Sequence, residues 1–599
     1  MTLTPKILTA ALTAALSLPI SACTRTSSEA SKEPTLGVRL SEAPAVRLEA
    51  TRDGRYLVFI TSPEAAGGPN VPDGIRLGAM AVVPSSGGAV RKLGEGVSTL
   101  EGSYHLSGTL LSFLGGFDIS RGAGTLMLAD LDKPAESPRV LAESVTFHRF
   151  SPDGAVLAYV AAGVLHLLDA ASGKDEVIGQ DVATFEFSPD SSRLLFRKPQ
   201  KVGGGLFLTD VRSSRNPRPS PVQLAERSGD YGFSPDGRFV ALTSRSEGPG
   251  SPYSTFVLKT EAPAQKLRAG ERSGSFQFSP DSKVLAFIAG QTPGLPYGDL
   301  SLLPLESAAF SASPDGSAGS SEIRRIGSSV ADFRFSPLGD VIAFRQNMQN
   351  DKGQTWQEFL AVRVPSGEVR LHQKSKPKTF ISFEFSGDGK ELAFIRHNAA
   401  QLDLWRIALA GNASPEVVAP WTYEYHYVAP QDGTGEGLPL WYRGSCVREG
   451  RDCTLFAAPP LSAASASSKA AEPSSQTTDA AHSDAQKASA SAEKSEAAPA
   501  YPVHQELVRG ISGFTLSPSG TRLFLHTPCL DVTDAFDLFW EDPAAGLGTL
   551  PGSRRLVDRH VLQNSLVTLD PEGKRVAYVV TGRKRAGVYV AQIDAPAPR

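Results

Sequence analysis

One phrase recurs along this chain and constrains its fold more than any other feature. It reads aromatic-x-aromatic, then Ser-Pro-Asp-Gly, then two residues and an apolar triplet. Well-formed copies are HRFSPDGAVLAY (148–159), FEFSPDSSRLLF (185–196), YGFSPDGRFVAL (231–242), FQFSPDSKVLAF (276–287), FRFSPLGDVIAF (333–344) and FEFSGDGKELAF (383–394). Weaker copies are LEATRDGRYLVF (48–59), YHLSGTLLSF (104–113), FTLSPSGTRLFL (514–525), VTLDPEGKRVAY (567–578) and YHYVAPQDGTGEGLPLWY (425–442). Alternation places the two rings of the first triplet on one face of a strand. Pro presets φ at a turn, Asp bonds nearby backbone and Gly accepts φ > 0. A strand rich in β-branched and aromatic residues follows. Each phrase therefore predicts a β-hairpin with a specified turn.

Most phrases are followed by a third apolar strand, as in VLHLLDAASG (164–173), GLFLTDV (205–211), DLWRIAL (403–409) and GVYVAQID (587–594). A short fourth often comes next, as in DEVIG (175–179) and EVRLH (368–372). Four strands per unit, repeated about every 45 to 50 residues, predict an all-β propeller of four-stranded blades. Eleven units start near 46, 99, 145, 184, 229, 274, 331, 381, 422, 511 and 564. Single propellers usually carry about 4 to 8 blades, so eleven predict two propellers. A Ser/Gly-rich stretch at 311–321 holds a Ser-Pro-Asp-Gly with no aromatic strand before it. It points to a division near 328, giving blades over 46–328 and 329–599; a four-plus-seven partition is the alternative. Residues 457–500 are built largely of Ala, Ser, Lys, Glu, Thr and Pro, without an aromatic, and read as a disordered insertion between blade strands.

At these aromatic-turn phrases the chain resembles the TolB-like propeller family, part of the wider WD-repeat-like group, over 46–420 and less closely over 510–599. The resemblance implies a fold more than a function, because propellers host many functions. TolB has a small α/β domain before its propeller where this chain has a short tether, so a direct Tol–Pal role is not implied.

The first residues read as an export signal: Lys6, an apolar run over 7–20 broken by Pro19, then Ile20-Ser21-Ala22-Cys23. The run is too short for a membrane-spanning helix, which needs about 20 apolar residues. The tetrapeptide resembles the lipobox of bacterial lipoproteins, which implies a signal peptide over 1–22, acyl chains on Cys23 and a flexible tether over 23–45. Several acyl chains anchor a protein almost irreversibly. Thr24 after the cysteine favours the outer membrane by the enteric sorting pattern, facing the periplasm or the cell surface. An ordinary secretory signal cut after Ala22 is the alternative.

The chain carries 60 basic and 63 acidic side chains, a net charge of −3. That balance argues against nucleic acid, whose phosphates need a basic stripe. Cys446 and Cys453, seven apart, suit a disulfide across a tight hairpin in an oxidising compartment. Metal ligation is the alternative, but no second Cys or His pair completes a site. Cys529 is expected to be buried and unpaired. The ten histidines show neither HExxH nor paired spacing, and no Gly-x-Ser-x-Gly elbow exists. No catalytic residue, metal or cofactor is therefore expected. The turn aspartates 153, 190, 236, 281 and 388 could line one end of the channel as an acidic ring, but their turn role suffices. Trp421, Tyr423, Tyr425 and Tyr427 form the densest aromatic cluster and are candidates for carbohydrate or peptide recognition; strand packing explains them equally well. The expected function is a non-catalytic cell-envelope lipoprotein that binds an envelope protein or peptide. The competing expectation is a hydrolase or lyase acting on a glycan or lactone, with carboxylates and a His converging near the axis.

Overall fold

The computed structural model describes residues 35–593 other than 66–74, 200–203, 213–217, 246–250, 292–296, 309, 311–322, 350–352, 377–378, 399–400, 412, 429–437, 447–451, 462–503, 529–533, 543–553 and 583. Every helix or strand among them is a β-strand. The Ala/Ser-rich insertion lies almost wholly outside the described residues, as do Cys23, Cys529 and the Ser/Gly-rich stretch at 311–321.

The strands form antiparallel blades of four, in chain order. Their first strands are Ala45–Ala50, Tyr104–Ser107, the end of Arg139–Phe150, Thr184–Phe187, Ser228–Phe233, Phe276–Phe278, the end of Arg324–Phe335, Phe380–Phe385, Glu424–Tyr427, Gly513–Leu516 and Val567–Thr568. These eleven starts match the eleven repeats read from the sequence. The strands Arg139–Phe150 and Arg324–Phe335 each serve twice, as the last strand of one blade and the first of the next.

The repeated turn is built by its own side chains. In blade 3, Ser151 Oγ donates to Asp153 Oδ1 at 2.6 Å and accepts from the Val156 amide at 3.0 Å. Asp153 Oδ1 also accepts from the Ala155 amide at 3.1 Å, and Gly154 sits at φ 72°. Ser188/Asp190, Ser234/Asp236, Ser279/Asp281 and Ser386/Asp388 repeat the Ser-to-Asp bond at 2.6 Å. These aspartates are committed to turns, and the described residues contain no group of three or more His, Cys, Asp or Glu that could hold a metal.

Strand alternation gives each blade two apolar faces. In blade 1, Val58 and Ile60 pack on Tyr104, Leu111 and Phe113 of blade 2, while Leu57 and Phe59 pack on Ala577, Val579 and Val588 of blade 11. Blade 6 packs on blade 7 through Ile288, Leu300, Ile342 and Phe344. Every other consecutive pair is joined in the same way. Eleven seams join eleven blades, and the last seam returns to the first blade.

This corrects the expected division into two propellers at 328. Two rings would need blade 6 to close on blade 1 and blade 7 on blade 11, and among the described residues none of the buried clusters joins those pairs. Residue 328 lies instead within the strand Arg324–Phe335 that blades 6 and 7 share. The limit of about eight blades reflects common rings and not the seam itself, which is local to each pair.

The tether expected over 23–45 is shorter than predicted. Gly37–Arg39 pairs antiparallel with Gly587–Gln592, register Gly37↔Ala591, and forms the fourth strand of blade 11. The start of the fold thus completes its last blade. Gly37 is required by close approach: a Cβ there would lie 2.0 Å from Tyr578 Oη and 3.0 Å from Asp558 Oδ2. Tyr578 Oη donates to Asp558 Oδ2 at 3.0 Å, and Arg585 Nη2 donates to Asp558 Oδ1 at 2.6 Å, so the buried carboxylate is satisfied.

Gly37→Ala is expected to destabilise the protein by about 1–3 kcal/mol, the range for overpacking. Because the clash is with one hydroxyl, Gly37→Ala combined with Tyr578→Phe should cost less than the sum of the single changes in urea unfolding. Strict additivity would show that Gly37 is not held against Tyr578.

Candidate functional site

The first strands meet one another around the ring. Tyr104 Oη donates to Arg47 O at 2.7 Å, Thr184 Oγ1 lies 3.1 Å from Tyr231 Oη, and Ser382 Oγ lies 3.2 Å from Tyr425 Oη. The Phe147 and Phe185 rings are 4.8 Å apart. Fourth strands instead carry exposed side chains, such as Val140, Val177, Val222 and Val369. The first strands are therefore the inner ones, facing the axis.

On each inner strand the residue between the two aromatics points away from their face. Phe185 and Phe187 are buried in the seam with blade 3, while Glu186 between them is half-buried. The equivalent positions hold Glu49, His105, Arg149, Gly232, Gln277, Arg334, Glu384, His426, Thr515 and Thr568, polar in every blade but the fifth. This inner row is polar and mixed in charge. The sequence reading missed it, although the signal was present in the middle residue of the repeated phrase.

The densest part of the row lies where blades 8, 9 and 10 meet. His426 Nδ1 is 3.4 Å from Glu384 Oε2 of blade 8, and its Nε2 is 3.8 Å from Glu424 Oε1 on its own strand. Arg443 Nε sits 2.9 Å from Glu424 Oε2. Hydrogen bonding to Glu384 first, then to Glu424, pushes the His426 pKa up to about 9 against the cost of burial. Burial pushes Glu424 up, yet His426 and Arg443 bring it below the ordinary carboxylate value. At neutral pH the cluster is thus an imidazolium between two carboxylates, one of them also held by a guanidinium. It can bind polar groups by charge-assisted hydrogen bonds.

A second pair of histidines has the opposite character. His105 and His148, in blades 2 and 3, meet edge to face with ring centroids 4.9 Å apart. His148 is fully buried. Burial, with Arg149 adding repulsion, lowers His105 to about 4, and burial with His105 lowers His148 to about 3.

The aromatic cluster read from sequence is divided. Trp421 and Tyr423 lie in the crossover before the inner strand of blade 9 and are exposed, Trp421 at φ 50°. Tyr425 is buried in the seam with blade 8, and Tyr427 packs against it with its Oη 3.4 Å from Glu391 Oε2. The four rings do not form one surface. Cys446 and Cys453 are brought together as a disulfide.

Solved propeller structures are similar to this chain at low identity. A eukaryotic initiation factor matches at 13% identity over 63% of this chain and 88% of its own, TM-score 0.34. The tricorn protease matches at 14% identity over 63% of this chain and 44% of its own, TM-score 0.29. A protein described as TolB from Agrobacterium tumefaciens matches at 17% identity over 43% of this chain and 88% of its own, TM-score 0.22. No protein-family model matches the chain, and no curated protein matches it in sequence. The propeller class stands on the chain's own strand order and seams.

Two titrations are expected to separate the histidines. The His426 ring signals in NMR should titrate near 9, and Glu384→Gln should return the midpoint toward the ordinary value of 6.5; an unmoved midpoint would contradict the pairing. His148 stays neutral in the fold but protonates below 6.5 once unfolded, so its contribution to stability is lost as pH falls from 6.5 toward 3. The slope is about 1.4 kcal/mol per pH unit for this group. His148→Leu should flatten urea midpoints measured between pH 7 and 5, and curves parallel to wild type would contradict it.

Proposed function

We propose that the chain is a non-catalytic cell-envelope lipoprotein whose propeller serves as a binding platform for a protein or peptide. The observation that carries the reading is the inner row of mixed charge, contributed one residue at a time by separate blades. Such a row offers donors, acceptors and both signs of charge along a rigid wall, which suits an extended polypeptide of mixed charge. The propeller scaffold limits the reorganisation cost of binding. Lipid on Cys23, proposed from Ile20-Ser21-Ala22-Cys23, would hold the ring at a membrane, proposed as the outer one.

A second reading has one observation in its favour. Glu384 and Glu424 converge on His426, as a hydrolase or lyase acting on a glycan or lactone in the channel would require. A general base working at neutral pH needs a pKa near that pH and a free lone pair. His426, at about 9, is protonated there. His426 is therefore better suited to hold an acceptor group of a ligand than to take a proton from it.

A photo-crosslinking residue placed at Gln277 or Thr515 in the inner row is expected to capture a partner in intact envelopes. Glu384→Lys should reduce that capture several-fold, and Cys23→Ala should release the protein into the soluble fraction. Capture indifferent to the charge reversal would contradict the binding face. Membrane retention of the Cys23 variant would contradict the anchor.

A further inference from the structure

The disulfide in blade 9 is asymmetric. Cys453 opens the strand Cys453–Ala458 and is buried, whereas Cys446 follows the strand Leu440–Gly444 and is half-buried. Cys446 is therefore the more accessible residue of the pair. The other sulfur has a cation beside it: Arg443 Nη1 donates to Cys453 Sγ at 3.7 Å. That guanidinium is fixed, since its Nε faces Glu424 Oε2 at 2.9 Å and its Nη1 also donates to Ser512 O. The residues just before the two cysteines, Ser445 and Asp452, both hold left-handed φ values near 50° and 55°. Such conformations persist in non-glycine residues only where the surroundings impose them.

A thiol–disulfide exchange site needs an accessible sulfur to attack and a second sulfur that leaves easily as thiolate. A neighbouring guanidinium lowers the pKa of a thiol and so improves it as a leaving group. We propose that Cys446–Cys453 is an exchangeable disulfide, opened by a dithiol reductant through attack at Cys446 with Cys453 leaving as a thiolate beside Arg443. In the first step the reductant's thiolate bonds to Cys446 Sγ, the Cys446–Cys453 bond breaks, and its electron pair goes to Cys453 Sγ. In the second, the reductant's other thiol loses its proton to solvent and attacks the reductant's own sulfur in the mixed disulfide. Cys446 leaves as thiolate and takes up a proton. The dithiol departs as a cyclic disulfide, oxidised by two electrons, and the protein disulfide is reduced by two. The site shares Arg443 with the Glu424–His426 cluster of the inner row, but its chemistry does not depend on the binding reading.

The test uses the full chain, oxidised, with dithiothreitol as the dithiol and mass spectrometry after acid quench as the readout. The native protein is expected to open its disulfide while circular dichroism stays that of the folded state. Arg443→Gln is expected to slow opening by about tenfold, and Arg443→Lys to recover part of the rate. Polarity of attack is read in variants that lack one partner, with Cys23 and Cys529 also changed to Ser: in Cys453→Ser the remaining Cys446 should form a mixed disulfide with an aromatic disulfide reagent rapidly, and in Cys446→Ser the remaining Cys453 should not. Opening at the rate of global unfolding, an Arg443→Gln rate equal to wild type, or faster labelling of Cys453 than of Cys446 would each overturn the proposal. Should Arg443→Gln fail to fold, the labelling order of Cys446 and Cys453 decides it alone.

Discussion

Everything in this molecule rests on the seam between neighbouring blades. A four-stranded sheet with apolar residues on both faces cannot exist alone in water, because one covered face still leaves the other exposed. The second strand shows the requirement most clearly. Leu57 and Phe59 serve one seam and Val58 and Ile60 the other, all four without exposed surface. The aromatics that end the repeated phrase, Phe59, Phe113, Phe196, Phe287, Phe344, Phe394 and Tyr578, are among the largest fully buried side chains. Burying one such ring contributes about 2–3 kcal/mol, and truncating it to Ala costs about 3–5 kcal/mol. Since each blade needs two neighbours, an open row would leave two apolar faces in solvent. Closure removes both.

The closing strand carries a disproportionate share of that outcome. Gly37–Arg39 supplies only three residues, yet it completes blade 11 beside the Asp558–Arg585–Tyr578 network. The absent Cβ of Gly37 lets the strand lie against the Tyr578 hydroxyl. Arg39 reaches across to the carbonyls of Ser41 and Ala586, clamping the short strand by its side chain. The segment leading back to Cys23 therefore enters the fold at the point where the ring is joined.

Much of this architecture was legible in the sequence, and the reasons are local. Ser151, Asp153 and Gly154 make their turn with their own atoms, so the turn is written wherever that tripeptide pattern occurs. The eleven inner strands were located by the repeated phrase, six by well-formed copies and five by weaker ones. Ring closure was not legible, because Gly37-Val38-Arg39 is too short to show a period of two and its partner lies some 550 residues away. The number of rings failed for a related reason: a seam between blades 6 and 7 looks no different in sequence from one between blades that end a ring. At the site, Cys446 and Cys453 were found by spacing. Glu384 and His426 were not, since they occupy a position that the repeat leaves variable and meet only across a seam, and Glu424 lies two residues before His426, outside the repeated triplet. His105 and His148 were read as scattered for the same reason. Among the four aromatics singled out, only Trp421 and Tyr423 reach solvent, and Tyr425 and Tyr427 belong to packing.

The physical character of the two histidine sites follows from one contrast. His426 has carboxylates on either side and stays charged, whereas His148 has burial and a second imidazole and stays neutral. A patch of fixed charge thus sits in the same ring as a seam that acid is expected to loosen. The central claim beneath both is a single ring of eleven blades closed by Gly37–Arg39. Electron cryomicroscopy of the full chain in face-on views tests it most directly. Eleven wedges round one axis, with density for Gly37–Arg39 at the edge of the last, are expected; two smaller rings side by side would contradict the account.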